Sequence, residues 1–309
     1  MAREEGRANG DGAGALGEAP FRRALIVVNP ISGRGRGMRA AQELEEGLRR
    51  SGVGTELVRT EARGAAFTLL RGLSPEVDLV LAVGGDGTLR EVLDGLVDPE
   101  IPVALLPYGT ANVLAHELGL PRDVHHALEI ILRGHRQALD VTHVKGHLSF
   151  LVTGVGIDAM AVRDVEERRH GTITKWSYVL ALCRALLSYV PPRMRVELDG
   201  EALDGEFGFV LVSNTAHYGG LLRLERSSRL DDGRLEVYLF PTGSIPELAA
   251  SVLRGVLRGL PGGAVEMRRA RRVRIDSEEP VPYQIDGDFG GETPLEVELA
   301  PNQYRLLVP

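Results

Sequence analysis

Cysteine and tryptophan are nearly missing: Cys183 and Trp176 are the single representatives of each among 309 residues. One thiol excludes an internal disulfide framework and any zinc site assembled from several cysteines, and a reducing compartment is the default for such a chain. A basic surplus is missing too. The formal charge of −7 gives no basis for wholesale nucleic-acid binding. Long apolar runs are also absent. The most apolar helical stretch, Trp176 to Val190, is interrupted by Arg184 and stopped by Pro191-Pro192, short of the ~20 apolar residues that a bilayer requires. Residues 1–20 contain no apolar signal core; their mixture of charges, Gly and Ala reads as a disordered tail.

What is present is an ordinary globular complement, 43% hydrophobic and 26% charged. The length suits one large domain or two ordinary ones. Glycine is abundant, 38 in all, so the backbone is expected to turn tightly or approach a ligand closely in several places.

Strand and helix patterns alternate through the first part of the chain. Ala24–Val28, Thr55–Arg59, Asp78–Val83 and Pro102–Leu106 read as strands, and Ala40–Arg50, Ala62–Leu70, Thr88–Leu96 and Thr110–Leu118 as the helices between them. That alternation predicts a parallel sheet with right-handed crossovers and a ligand site at the carboxyl ends of its strands. Beyond about Asp140 strand-like segments follow one another: Ser149–Val155, Arg195–Leu198, Phe207–Val212, Leu235–Phe240, Ala270–Ile275 and Leu295–Leu299. Asp-Gly turns separate several of them, and helices over Lys175–Tyr189 and Pro246–Gly255 interrupt the series. The expected fold is an α/β domain over 21–140 with a parallel sheet, followed over 141–309 by a mostly antiparallel β domain.

Three glycine-bearing loops fall on the predicted ligand edge: Asn29-Pro30-Ile31-Ser32-Gly33, Gly84-Gly85-Asp86-Gly87-Thr88 and Pro107-Tyr108-Gly109-Thr110-Ala111-Asn112. Backbone amides freed of Cβ obstruction, followed by a helix start, suit phosphate. An aspartate inside such a loop repels phosphate unless it holds a cation or takes a substrate proton, which makes Asp86 a candidate for magnesium or general-base work. A plain strand–helix turn with Asp86 as N-cap uses the same residues; the two companion loops favour a nucleotide crevice. Other signatures are excluded. No P-loop occurs, Met38 stands where a dinucleotide fingerprint has its third glycine, and Leu120 stands where the zincin-like His116-Glu117 would need a second histidine. His143 and His147 flank Lys145-Gly146, a predicted hairpin turn, and read as surface residues.

NPISG, GGDGTLREV, PYGTANVLAHELGLP, GVGIDA, SNTAHYGG, DDGRLEV and QIDGDFGG occur in this order from about residue 23 to the end. In this the chain resembles the diacylglycerol kinase catalytic-domain family, which includes bacterial soluble lipid kinases and sphingosine kinases. The resemblance implies an ATP- and magnesium-dependent lipid kinase with an NAD kinase-like two-domain fold. It implies nucleotide contacts at Asn29, Pro30, Ser32, Gly33, Thr60, Gly84, Gly85, Asp86, Gly87, Thr88 and Thr110. It implies a Mg2+ site at Asp232, with Arg229 and Arg234 contributing backbone carbonyls, and a proton acceptor at Asp288, Asp86 being next in line. It further implies a cytoplasmic protein that meets its lipid substrate at the membrane surface, with a homo-oligomer left open.

Three residues depart from the family's pattern. Asp288 replaces a glutamate and is shorter by one C–C bond, ~1.5 Å. Arg90 replaces the Asn common after GGDGT-x and is compatible with phosphate contact. Val113 replaces the Asp common after GTAN. On the residues alone, two alternatives stay open: a kinase for a soluble substrate such as NAD, and a non-catalytic nucleotide or lipid sensor. Two segments bear on lipid access. Met267–Arg274, with five arginines, would attract an anionic leaflet or form a strand whose arginines pair with nearby acids. Trp176–Val190 would line an acyl cleft or pack in the core.

Overall fold

A computed structural model describes residues 19–168, 175–218, 222–225 and 228–309. All but the end of the tail expected over 1–20 lies outside the described residues. In the first half the elements are β1 (Arg23–Val28), α1 (Arg36–Arg50), β2 (Gly54–Arg59), α2 (Ala65–Arg71), β3 (Leu79–Gly84), α3 (Asp86–Gly95), β4 (Val103–Pro107), α4 (Val113–Glu117), α5 (Val124–Arg133) and β5 (Arg136–Leu139). Strand β1 pairs in parallel with β2 and β3, and β3 with β4.

The apolar runs of β1 and β3 are continuous because both faces of the sheet are covered. Ala24, Ile26 and Val28 pack with Leu44 and Leu48 of α1 and Ile131 of α5 on one face. Leu25 and Val27 pack with Leu70 of α2 and Leu89 and Leu93 of α3 on the other. The spacing of Ala40, Leu44 and Leu48 puts one stripe of α1 against the sheet.

The second half comprises β6 (Thr142–Val144), β7 (His147–Ser149), β8 (Val152–Val155), α6 (Ile157–Glu167), α7 (Lys175–Ser188), β9 (Met194–Leu198), β10 (Glu201–Ala202), β11 (Phe207–Ser213), β12 (His217–Tyr218), β13 (Leu222–Arg223), β14 (Leu235–Pro241), α8 (Ile245–Arg258), β15 (Glu266–Ala270), β16 (Arg272–Ser277), β17 (Pro282–Ile285), β18 (Asp288–Glu292) and β19 (Leu295–Leu299). Apart from the small β12–β13 ribbon, these strands form one antiparallel sheet. Its two faces differ: Phe150, Leu211 and Tyr238 continue the core under α3, whereas Val196, Val237, Ile275 and Val297 form a separate cluster.

Three departures from the sequence pattern have physical causes. The run Ser149–Val155 is two strands, because the amides of Phe150, Leu151 and Val152 donate to the Asp286 carboxylate. The run Ala270–Ile275 breaks at Arg271, where Asp199 accepts from the amides of Arg271 and Arg272 at 2.9 Å each. There the chain leaves β14 and joins β9 and β19. Finally, β20 (Tyr304–Leu307) does not stay with the second sheet. It lies between β4 and β5 in the first, parallel to β4 through Leu306 and Val103 and antiparallel to β5. Residues from the end of the chain thus complete the first sheet.

Candidate active site

The three loops are stitched to one another at the carboxyl edge of the first sheet. The Asn29 amide donates to the Val83 carbonyl at 3.1 Å, and Thr60 donates to Val28 at 2.9 Å. The Gly84 carbonyl accepts from Tyr108 at 2.7 Å and from Gly109 at 3.1 Å. A Cβ on Gly85 would sit 2.9 Å from the Gly109 Cα, so backbone passes directly over backbone there. Gly33 similarly abuts the Tyr108 ring. This edge thus gathers Asn29, Pro30, Ser32, Gly33, Thr60, Gly84–Thr88 and Thr110. Thr88 is buried, whereas Gly87 and Thr110 are exposed. Asn112, in a left-handed conformation at φ 49°, donates to the Gly109 carbonyl at 2.8 Å. Its Oδ1 is buried without a hydrogen-bond partner.

Asp86 is the first residue of α3, and Gly85 is that helix's N-cap. The Asp86 carboxylate instead accepts the amides of Val113 at 3.0 Å and Leu114 at 3.3 Å, the first two residues of α4. One acid from the second loop therefore caps the helix that follows the third. Burial raises its pKa above the ordinary carboxylate value, the two amides oppose that shift, and nearby Asp286 adds to it.

The Asp286-Gly287 turn joins β17 to β18, with φ 51° and 89° at the two residues, the conformation such hairpin turns require. The turn sends the carboxylates of Asp286 and Asp288 apart. Asp286 faces inward: Oδ1 accepts from Ser149 Oγ at 2.7 Å and from the Leu151 and Val152 amides at 3.0 Å each, and Oδ2 from the Phe150 amide at 3.1 Å. Burial pushes its pKa up, against the opposing charge of Arg90 and these donors. With its oxygens so occupied, Asp286 holds the hairpin. Asp288 faces the loops. Its Oδ2 accepts from Arg90 of α3 and from Arg63, on the loop after Thr60, at 2.6 Å. Arg90 also donates to the Ile285 carbonyl at 2.9 Å.

Behind the turn lies an arrangement the sequence did not suggest. Gln284 Oε1 accepts the Gly287 amide at 2.7 Å, while its Nε2 donates to Asp158 Oδ2 at 3.2 Å. Tyr218 donates to the same oxygen at 3.0 Å. Burial raises the Asp158 pKa to about 6. A Cβ on Gly154 would collide with this carboxylate. Asp158 stands in the first turn of α6, and Ile157, Ala161, Val162 and Val165 were the available sign of that helix. Arg63 carried no comparable signal.

Residues 23–144 match the family model described as diacylglycerol kinase catalytic domain, and residues 151–308 match that of the YegS C-terminal NAD kinase beta sandwich-like domain. The chain belongs to the family of the YegS C-terminal NAD kinase beta sandwich-like domain, and its first half matches the diacylglycerol kinase catalytic domain. It is 29% identical over 292 residues to a diacylglycerol kinase of Bacillus subtilis (strain 168), covering 92% of this chain and 95% of the relative. It is 27% identical to one of Staphylococcus carnosus (strain TM300), covering 88% and 90%. A solved structure of a diacylglycerol kinase from Bacillus anthracis str. Sterne superposes with a TM-score of 0.72 at 21% identity, covering 94% of this chain and 98% of that one, and so shares the fold.

The turn expected from the resemblance to hold magnesium falls between β13 and β14. Asp232 Oδ1 accepts the Arg234 amide at 3.0 Å, and Arg229 turns its guanidinium to Asp231 at 3.1 Å. Among the described residues no group of three or more His, Cys, Asp and Glu is placed to hold a metal. The donors present, one carboxylate oxygen and main-chain carbonyls, fit a hard cation that keeps most of its water.

Of the arginines in 267–274, Arg268 pairs with Glu266 at 2.7 Å, Arg269 with Glu236 at 3.2 Å, Arg272 with Glu296 at 2.9 Å and Arg274 with Asp276 at 3.6 Å. This is a paired strand face more than a free cationic patch. In α7, Ala181 and Ala185 are buried while Leu180 and Leu187 are exposed; the side chain of Trp176 lies outside the described residues. No helix among the described residues is long and apolar enough to cross a membrane.

Proposed function

We propose that this protein is a lipid kinase that transfers the terminal phosphoryl group of ATP to the hydroxyl of diacylglycerol or a related lipid. The observation that carries this reading is the joining of three glycine loops into one edge, with Asp288 from the second sheet facing it. The amides of Gly84–Thr88 and the polar groups of Asn29, Ser32, Thr60 and Thr110 grip the polyphosphate. Asp86 fixes the angle between the second and third loops by capping α4, a positioning role in place of the proton-accepting one expected for it. Asp288 accepts the proton of the attacking lipid hydroxyl. Phosphoryl transfer asks little covalent chemistry of a protein, so rigid positioning and charge carry the rate. Bound magnesium neutralises phosphate charge; Asp232, with the carbonyls of Arg229 and Arg234, would hold one ion. The exposed Leu180, Leu187, Leu253 and Leu257 provide apolar contact with the membrane surface from which the lipid comes.

The test is phosphorylation of a lipid panel by labelled ATP, with and without magnesium. Lipid-extractable label that needs magnesium is expected, and Asp288→Asn should lower turnover by roughly 10²–10⁴. Label confined to the aqueous phase would instead identify a soluble-substrate kinase. Melting stabilised by ATP without any transfer would identify a sensor.

A further inference from the structure

The carboxylate that faces the glycine loops is already engaged by arginine. Two guanidinium groups share Asp288 Oδ2, and they are not equivalent. Arg90 is largely buried, with a side-chain exposure of 17%, and its other nitrogen is anchored on the Ile285 carbonyl. Arg63 is 70% exposed, and Asp288 is its one ion-pair partner among the described residues. It stands on a short exposed arm: Thr60 is fixed to β1 at one end, and Gly64, at φ 81° with open space around it, ends the arm before α2. A charge on such an arm moves at little cost, and a phosphate is a stronger competitor for a guanidinium than a single carboxylate oxygen.

We propose that Arg63 is a nucleotide-operated latch: it covers Asp288 in the empty site and transfers to the terminal phosphate of ATP when the nucleotide binds. This rests on the kinase reading above. The transfer removes the outer of the two cations from Asp288 only when the donor phosphate is in place, leaving Arg90 to hold the carboxylate in position. The lipid oxygen then forms its bond to the γ-phosphorus, and the bond to the bridging oxygen breaks with its electron pair leaving on ADP. The hydroxyl proton passes to Asp288 and later to water. ADP, lacking the phosphate that draws Arg63 away, leaves the latch closed. Arg63 is therefore the residue that distinguishes the two nucleotides.

The competition between carboxylate and phosphate supplies the test. ATP and ADP, each with magnesium chloride, are titrated calorimetrically into the unaltered chain, Asp288→Asn, Arg63→Ala and the double variant. Removing the carboxylate charge frees Arg63, so Asp288→Asn should bind ATP about 5-fold more tightly and ADP unchanged, although turnover collapses. Arg63→Ala, an exposed change that the fold tolerates, should weaken ATP about 10-fold and ADP less than twofold. In the double variant the tightening by Asp288→Asn should vanish, since its partner is gone. ATP affinity that is unchanged or lowered in a folded Asp288→Asn protein overturns the latch, as does equal loss of ATP and ADP in Arg63→Ala. Neither result touches the kinase reading, which the lipid panel decides. A chain that binds neither nucleotide defeats both.

Discussion

Asp158 shows how one buried residue sets the sign of a pH effect. Its pKa is raised from 3.8 to about 6 by burial, so between those values the folded chain holds a proton that the unfolded chain has released. The stability from this group is fully present below pH 4 and is lost as pH rises through 6. The shift corresponds to about 3 kcal/mol. Asp158→Asn should therefore flatten the stability profile between pH 4 and 7 by roughly this amount, whatever its offset from lost hydrogen bonds. Urea denaturation at several pH values measures it, and parallel profiles for variant and parent would refute the assignment.

At the scale of elements, the loops depend on contacts too close for any side chain. A Cβ on Gly109 would strike the Gly85 backbone and lie 2.6 Å from Asn112 Oδ1. Gly109→Ala should cost about 1–3 kcal/mol in melting experiments and, on the proposed function, weaken ATP binding out of proportion to that loss, because it forces the second and third loops apart. An unaltered ATP affinity would exclude this edge as the nucleotide site. These loops were legible in the sequence, since glycine beside small polar residues at the ends of apolar runs has few other uses. The division of labour in Asp286-Gly287-Asp288 was not. Which acid turns inward depends on the left-handed turn and on amides more than a hundred residues away, at Phe150 to Val152. Helix α6 was missed because it follows β8 after Gly156 alone, leaving no loop to announce it.

Across the whole molecule, the parallel sheet and the antiparallel one were readable from their apolar patterns, whereas the return of β20 to the first was not. Its pattern Tyr-Arg-Leu-Leu suits either sheet, and only long-range pairing decides. Because β20 lies between β4 and β5, a fragment ending at residue 140 has a gap inside its sheet, with unpaired edges and the apolar seats of Leu306 and Leu307 unfilled. Such a fragment should show no cooperative thermal transition, and a sharp one would mean the sheet closes unaided.

The position of β20 also orders events during synthesis. All three glycine loops leave the ribosome early, yet the sheet that orients them is completed only when Leu307 has been made. A polypeptide stalled midway would carry all three loops and still lack a firm place to hold them.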